Sequence, residues 1–122
     1  MPSGPIDEDP PEGLSTADLA SALNVTRQTV INWKTRNLLP APLLLHLGAR
    51  GRMSVWPPFT LPLARFVQEA LQARKTVAQV ARLVRPLLEK EPTWIHAELE
   101  KGKSIADLLQ ELTQERRGRK DE

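Results

Sequence analysis

The chain has 122 residues, a net charge of +2 and no cysteine, and its two histidines, His46 and His96, lie far apart in sequence. Its length suits one compact domain with appended ends rather than two independent cores. The composition excludes disulfides, thiolate metal sites and cysteine nucleophiles, so neither a metal nor another cofactor is expected. No apolar run is long enough to span a bilayer and the first residues are acidic, which predicts a cytoplasmic protein with no membrane partner.

The charge is unevenly placed. Residues 1–13 carry Asp7, Glu8, Asp9 and Glu12 and no base, residues 14–65 carry six bases against Asp18 alone, and the remainder is nearly balanced. A basic segment of this kind is the electrostatic footprint of a phosphate-binding surface.

In chain order, residues 1–13 read as a disordered leader, since Pro2, Pro5, Pro10 and Pro11 stand among acids with almost nothing apolar to bury. Ser15 and Asp18 form a capping-box pattern, with Leu14 placed to staple onto Leu19, so a first helix begins there and ends at Asn24. Thr26 caps a second helix, with Val25 and Val30 at the staple spacing. Pro40 and Pro42 stop it near Asn37. Short apolar runs at 43–47 and 53–56 flank Gly48–Arg52 and predict a two-stranded hairpin that Pro57–Pro58 ends. A third helix carries Leu63, Phe66, Val67, Ala70 and Leu71. A fourth follows the Thr76/Gln79 capping box with Val77, Val80, Ala81, Val84 and Leu88, and Pro86 either kinks it or ends it near Val84. Beyond Pro92 a short helix stops at Gly102 and a last one starts at Ser104.

The fold class is therefore mainly α: a winged helix-turn-helix with a two-stranded β-hairpin wing, two further helices and a short helical tail. Residues 14–90 form the DNA-binding domain, 91–117 the tail and 118–122 a disordered end. Leu19, Ala20, Leu23, Val25, Val30 and Trp33 have the spacing of residues that fix the angle between two helices, and Ala20 marks their closest approach. Trp33 and Trp56 read as core, and Trp94 is open.

That packing turns Thr26, Arg27, Gln28, Ile31, Asn32 and Thr35 outward. Arginine pairs with guanine and glutamine or asparagine with adenine, while an apolar side chain touches the thymine methyl. The helix start at Thr26 suits phosphate, as do Lys34 and Arg36 near the far end, and Ser15 and Thr16 are further candidates for DNA contact. Arg50 and Arg52, in the wing at 48–54, reach the backbone or the minor groove.

Read in order, Leu14–Ala20, Asn24–Val30, Asn37-Leu38-Leu39-Pro40, Arg50–Trp56, Leu63–Val67 and Val77–Val80 resemble the DNA-binding head of the MerR family of bacterial transcription regulators. The resemblance covers 14–88 and implies homodimeric binding to an inverted repeat, with the helix at 26–37 in the major groove. Pro92 and Gly102 break the tail where that family continues into a long pairing helix, so the chain resembles a minimal member without an effector-sensing domain.

The expected function is a sequence-specific, dimeric, nucleoid-associated transcription regulator of double-stranded DNA, with RNA polymerase or another regulator as a further partner. The alternatives are an architectural DNA-binding protein and a protein-interaction module. No nucleophile with a base and no paired carboxylates suggest an enzyme. Ile105, Leu108, Leu109 and Leu112, with Trp94, form a stripe that either contacts a second copy or folds back onto the head.

Overall fold

A computed structural model describes residues 13–46 and 48–120; of Arg50 and of residues 116–120 it describes the backbone only. Among the described residues, six α-helices and a three-stranded sheet follow in the order β1 (Leu14–Ser15), α1 (Thr16–Leu23), α2 (Arg27–Thr35), β2 (Leu43–His46), β3 (Arg52–Trp56), α3 (Thr60–Gln72), α4 (Val77–Leu88), α5 (Pro92–Glu100) and α6 (Ile105–Lys120). This is a mainly helical fold with a hairpin, compatible with a winged-helix arrangement. The leader, except for Gly13, lies outside the described residues. The last helix continues to Lys120, beyond the expected end of the tail at 117.

Local chemistry explains most boundaries. The Ser15 hydroxyl accepts from the Asp18 amide at 3.0 Å and the Asp18 carboxylate accepts from the Ser15 amide at 3.2 Å, which satisfies two otherwise orphaned donors at the start of α1. Asn24 ends that helix at φ 59°, in the left-handed region, with the Val25 amide donating to the Ala20 carbonyl at 2.9 Å. Thr26 caps α2, and Thr76 with Gln79 forms the capping box of α4. Pro86 neither breaks nor ends α4: it is itself buried in the last turn, between the buried Val84 and Leu87, and that apolar packing holds the helix on to Leu88.

β3 is the central strand of the sheet, antiparallel to β2 (Leu43 opposite Val55, His46 opposite Arg52) and to β1 (Leu14 opposite Trp56). The two-residue β1 adds a third strand to the expected hairpin. Its close approach requires Gly13, where a Cβ would fall 2.6 Å from the Trp56 carbonyl oxygen.

One continuous core joins head and tail: Leu19, Leu23 and Val30 pack with Trp56, Phe59, Leu63, Val67, Val80 and Val84, and with Ile95, Ile105, Leu108, Leu109 and Leu112. Of the two arrangements left open for the α6 stripe, contact with a second copy or folding back onto the head, the structure has the second. Ile105, Leu108, Leu109 and Leu112 are all at most 6% exposed, because α6 turns back against α4 and α3, and they offer nothing to a second copy. Trp94 is half-buried at the edge of the same core, with the Lys90 ammonium 5.3 Å from its ring centre. The boundary between head and tail near residue 90 is accordingly one of sequence order and not of packing.

The tail is also fastened by charge. The Glu98 carboxylate accepts from Lys101 and Lys103, each at 2.7 Å, and Lys103 also donates to Glu111 at 3.1 Å, tying α5 to α6. The Lys101 hydrogen bond, followed by that of Lys103, holds the Glu98 carboxyl below its ordinary value, while burial acts the other way. A carboxyl depressed in the folded state contributes stability that is complete above its unfolded pKa and lost as pH falls through the folded one. Glu98→Gln is therefore expected to flatten the loss of stability between neutral pH and about pH 3, measured as urea midpoints; an unchanged pH dependence would contradict the assignment. Leu108→Ala should cost about 2–5 kcal/mol in the same measurement, whereas a surface dimer residue would leave monomer stability nearly unaltered.

Candidate nucleic-acid interface

The helix-turn-helix is built from α1, a three-residue turn at 24–26, and α2. Leu19, Ala20, Leu23 and Val30 are buried between the helices and the rest of the head, with Val25 and Trp33 packed against them. Gln68 on α3 donates to the Leu23 carbonyl at 2.9 Å, satisfying an acceptor that the end of α1 leaves open and fixing α1 to the helix behind it.

With one side of α2 committed to this packing, the other is free. Thr26, Arg27, Gln28, Ile31, Asn32, Lys34, Thr35 and Arg36 are all exposed. Ile31, 42% exposed, is one of only four large hydrophobic residues on the described surface. Among the described residues, Arg27, Lys34, Arg36 and Arg52 make no ion pair. Two local bonds order this face: Gln28 donates to the Asn32 side-chain oxygen at 3.0 Å, and the Thr35 hydroxyl donates to the Ile31 carbonyl at 3.0 Å. The first leaves the Gln28 carbonyl as an acceptor and the Asn32 amino group as a donor one turn apart, pointing to solvent. Thr26 is engaged by its own helix, as acceptor from the Thr29 amide and partner of the Thr29 hydroxyl.

The wing is joined to this unit at its root. Trp56, 1% exposed, donates its indole N–H to the Thr16 hydroxyl at 3.0 Å, so the last residue of β3 is bonded to the first residue of α1. β1 leads directly into α1 while pairing with β3, which makes the same connection through the backbone. At the far end, Gly48 (φ 63°) and Gly51 (φ 91°) form the tip, closed by the Gly51 amide on the Gly48 carbonyl at 3.0 Å. Arg52 is exposed opposite His46, and Arg50 lies in the tip, its side chain outside the described atoms.

Of the remaining candidates, Ser15 and Thr16 are half-buried, and each hydroxyl already accepts a bond, from Asp18 and Trp56 respectively. Those bonds give both hydroxyls a structural role, and each keeps a proton to donate. Ile105, Leu108, Leu109 and Leu112 belong to the core, and Trp94 to its edge. No protein-family model, curated protein or solved structure matches this chain. Among the described residues no group of three or more His, Asp or Glu side chains is placed to hold a metal ion, and no helix is long and apolar enough to cross a membrane.

Two features escaped the sequence. The β1 pairing spans some forty residues and carries no local signal. The exposed arginines of α4, Arg82 and Arg85, lie on the face opposite the buried Val80, Val84 and Leu87, and the apolar spacing of that helix was sufficient to place them. The joint between wing and helix-turn-helix is tested by Thr16→Val, which leaves the buried indole N–H unpaired. It should lower stability by about 1–3 kcal/mol in chemical denaturation, with the helical circular dichroism retained; an unchanged midpoint would mean that the bond contributes nothing.

Proposed function

We propose that the protein binds double-stranded DNA with α2 in the major groove and the β2–β3 wing on the adjacent backbone, as a homodimeric transcription regulator resembling a minimal MerR-type head. The observation that carries this reading is the outer face of α2. It presents Arg27, the Gln28–Asn32 amide pair, an exposed Ile31 and the cations Lys34 and Arg36, with no ion pair among the described residues to occupy those charges.

Each group has a fitting counterpart on DNA. Arg27 offers a planar pair of donors to guanine O6 and N7, and Ile31 offers apolar contact to a thymine methyl. The bonded Gln28 and Asn32 act as one unit, because their outward acceptor and donor match the amino donor and N7 acceptor on the adenine edge. Lys34, Arg36 and Arg52 supply phosphate contacts, which give affinity and register but no sequence information. With the α6 stripe buried, a dimer on an inverted repeat uses another surface, and its half-sites lie about 34–36 Å apart or a multiple of that.

Selection of duplexes from a random pool should enrich an inverted repeat. Arg27→Ala should relax preference at one base pair of each half-site by about 1–3 kcal/mol. Arg52→Ala should weaken binding evenly across sequences and lower the magnitude of the salt slope by about one. An absence of salt-dependent affinity for any duplex would overturn the proposal and leave a protein-interaction role.

A further inference from the structure

An open groove of about 580 Å³ begins where the helix-turn-helix ends, lined by Asn37, Ala78, Ala81, Arg82, Arg85, Leu88 and Glu89. Asn37 is the second residue beyond α2 and holds a left-handed turn at φ 67°, from which the chain enters the core at Leu38. The opposite wall is the solvent face of α4. Ala78 and Ala81 leave its first turns without bulk, and Arg82 and Arg85 raise two cationic heads one turn further on.

Those charges are available. Arg82 makes no ion pair among the described residues, and the Arg85 partner is Glu89 at 3.9 Å, with side chains 74% and 56% exposed. So loose and solvated a pair yields readily to a stronger anion. On the far side of Arg82 a second groove, of about 420 Å³, includes Lys75 from the α3–α4 turn, so positive charge runs along the helix from its start. Among the described residues, Glu89 is the single acidic side chain lining either groove.

We infer that this groove takes the sugar-phosphate backbone of the DNA strand flanking the site read by α2, with Arg82 and Arg85 on neighbouring phosphates. The inference rests on the DNA-binding reading and extends it, adding a contact surface outside the helix-turn-helix and wing. The occupant follows from charge and shape together. Two guanidinium groups one helical turn apart are matched by a polyanion with regularly repeated charges, and a floor of alanine methyls lets a strand approach the helix closely. The continuity of the groove with Asn37 places that strand at the exit of the recognition helix, where a duplex seated on α2 presents its backbone.

The test is binding of the full-length chain to a random-sequence duplex over a range of salt concentrations, comparing wild type with Arg82→Gln/Arg85→Gln and Arg82→Lys/Arg85→Lys. The glutamine variant should lower the magnitude of the slope of log K against log salt by about two, leave the preferred sequence unchanged and keep the helical circular dichroism. The lysine variant, which retains charge, should restore the slope. If wild type binds and the glutamine variant keeps the full slope, the groove is not on the DNA, and the α2 reading stands without it. Loss of affinity for inorganic phosphate with the DNA slope intact would make it a small-anion site and overturn the inference. Failure of wild type to bind any duplex would remove the DNA-binding reading and this inference together.

Discussion

Trp56 is where the two halves of the interface meet. Its ring is buried in the common core, its backbone pairs with Leu14, and its indole N–H is bonded to the first residue of α1. A wing attached only by flexible linkers would sample many orientations relative to the helix-turn-helix and would lose entropy on docking. Here the strand that leaves the wing tip is hydrogen-bonded to the first residue of α1 and pairs with β1, the strand that leads into that helix. Gly13 belongs to the same constraint, since any side chain there would collide with Val55 and the Trp56 backbone and push β1 away.

The tail serves the same end from behind. A helix-turn-helix of two helices shorter than ten residues has little apolar surface of its own, and isolated helices of that length are marginal in water. α3 supplies the Gln68 bond to the end of α1, α4 lies against α3, and α6 covers α4 with Ile105, Leu108, Leu109 and Leu112. The Glu98–Lys103–Glu111 chain of contacts then orients α5 and α6 relative to each other. The α6 stripe, whose spacing suits a second copy or its own head equally, is thus the cover of the core, and the solvent face of α4 is left as a basic surface.

Much of the fold was legible because its boundaries are local. Ser15 with Asp18, Asn24, Thr26, Thr76 with Gln79, and Gly102 each carry their conformational consequence in their own chemistry, and the structure has a helix boundary at each. The outward face of α2 was legible for a related reason: once Leu19, Ala20, Val25 and Val30 are assigned to the contact, helical geometry turns Arg27, Gln28, Ile31 and Asn32 to solvent. What stayed hidden depends on tertiary partners. β1 is only two residues long and exists because β3 is beside it. The stripe on α6 has the same periodicity whether it faces a second copy or its own head. Pro86 breaks a helix by local rules, yet burial on both sides carries α4 through it. The Gln28–Asn32 bond stands between these cases, since the spacing permits it and the rotamers decide it.

Amide chemical-shift mapping of the isotopically labelled protein, titrated with duplex DNA at low salt, tests the central claim most directly. The account predicts perturbations concentrated at residues 26–36 and 48–54, with the buried positions of α6 nearly unmoved. Perturbations absent from α2 and the wing, or no change with any duplex, would contradict it.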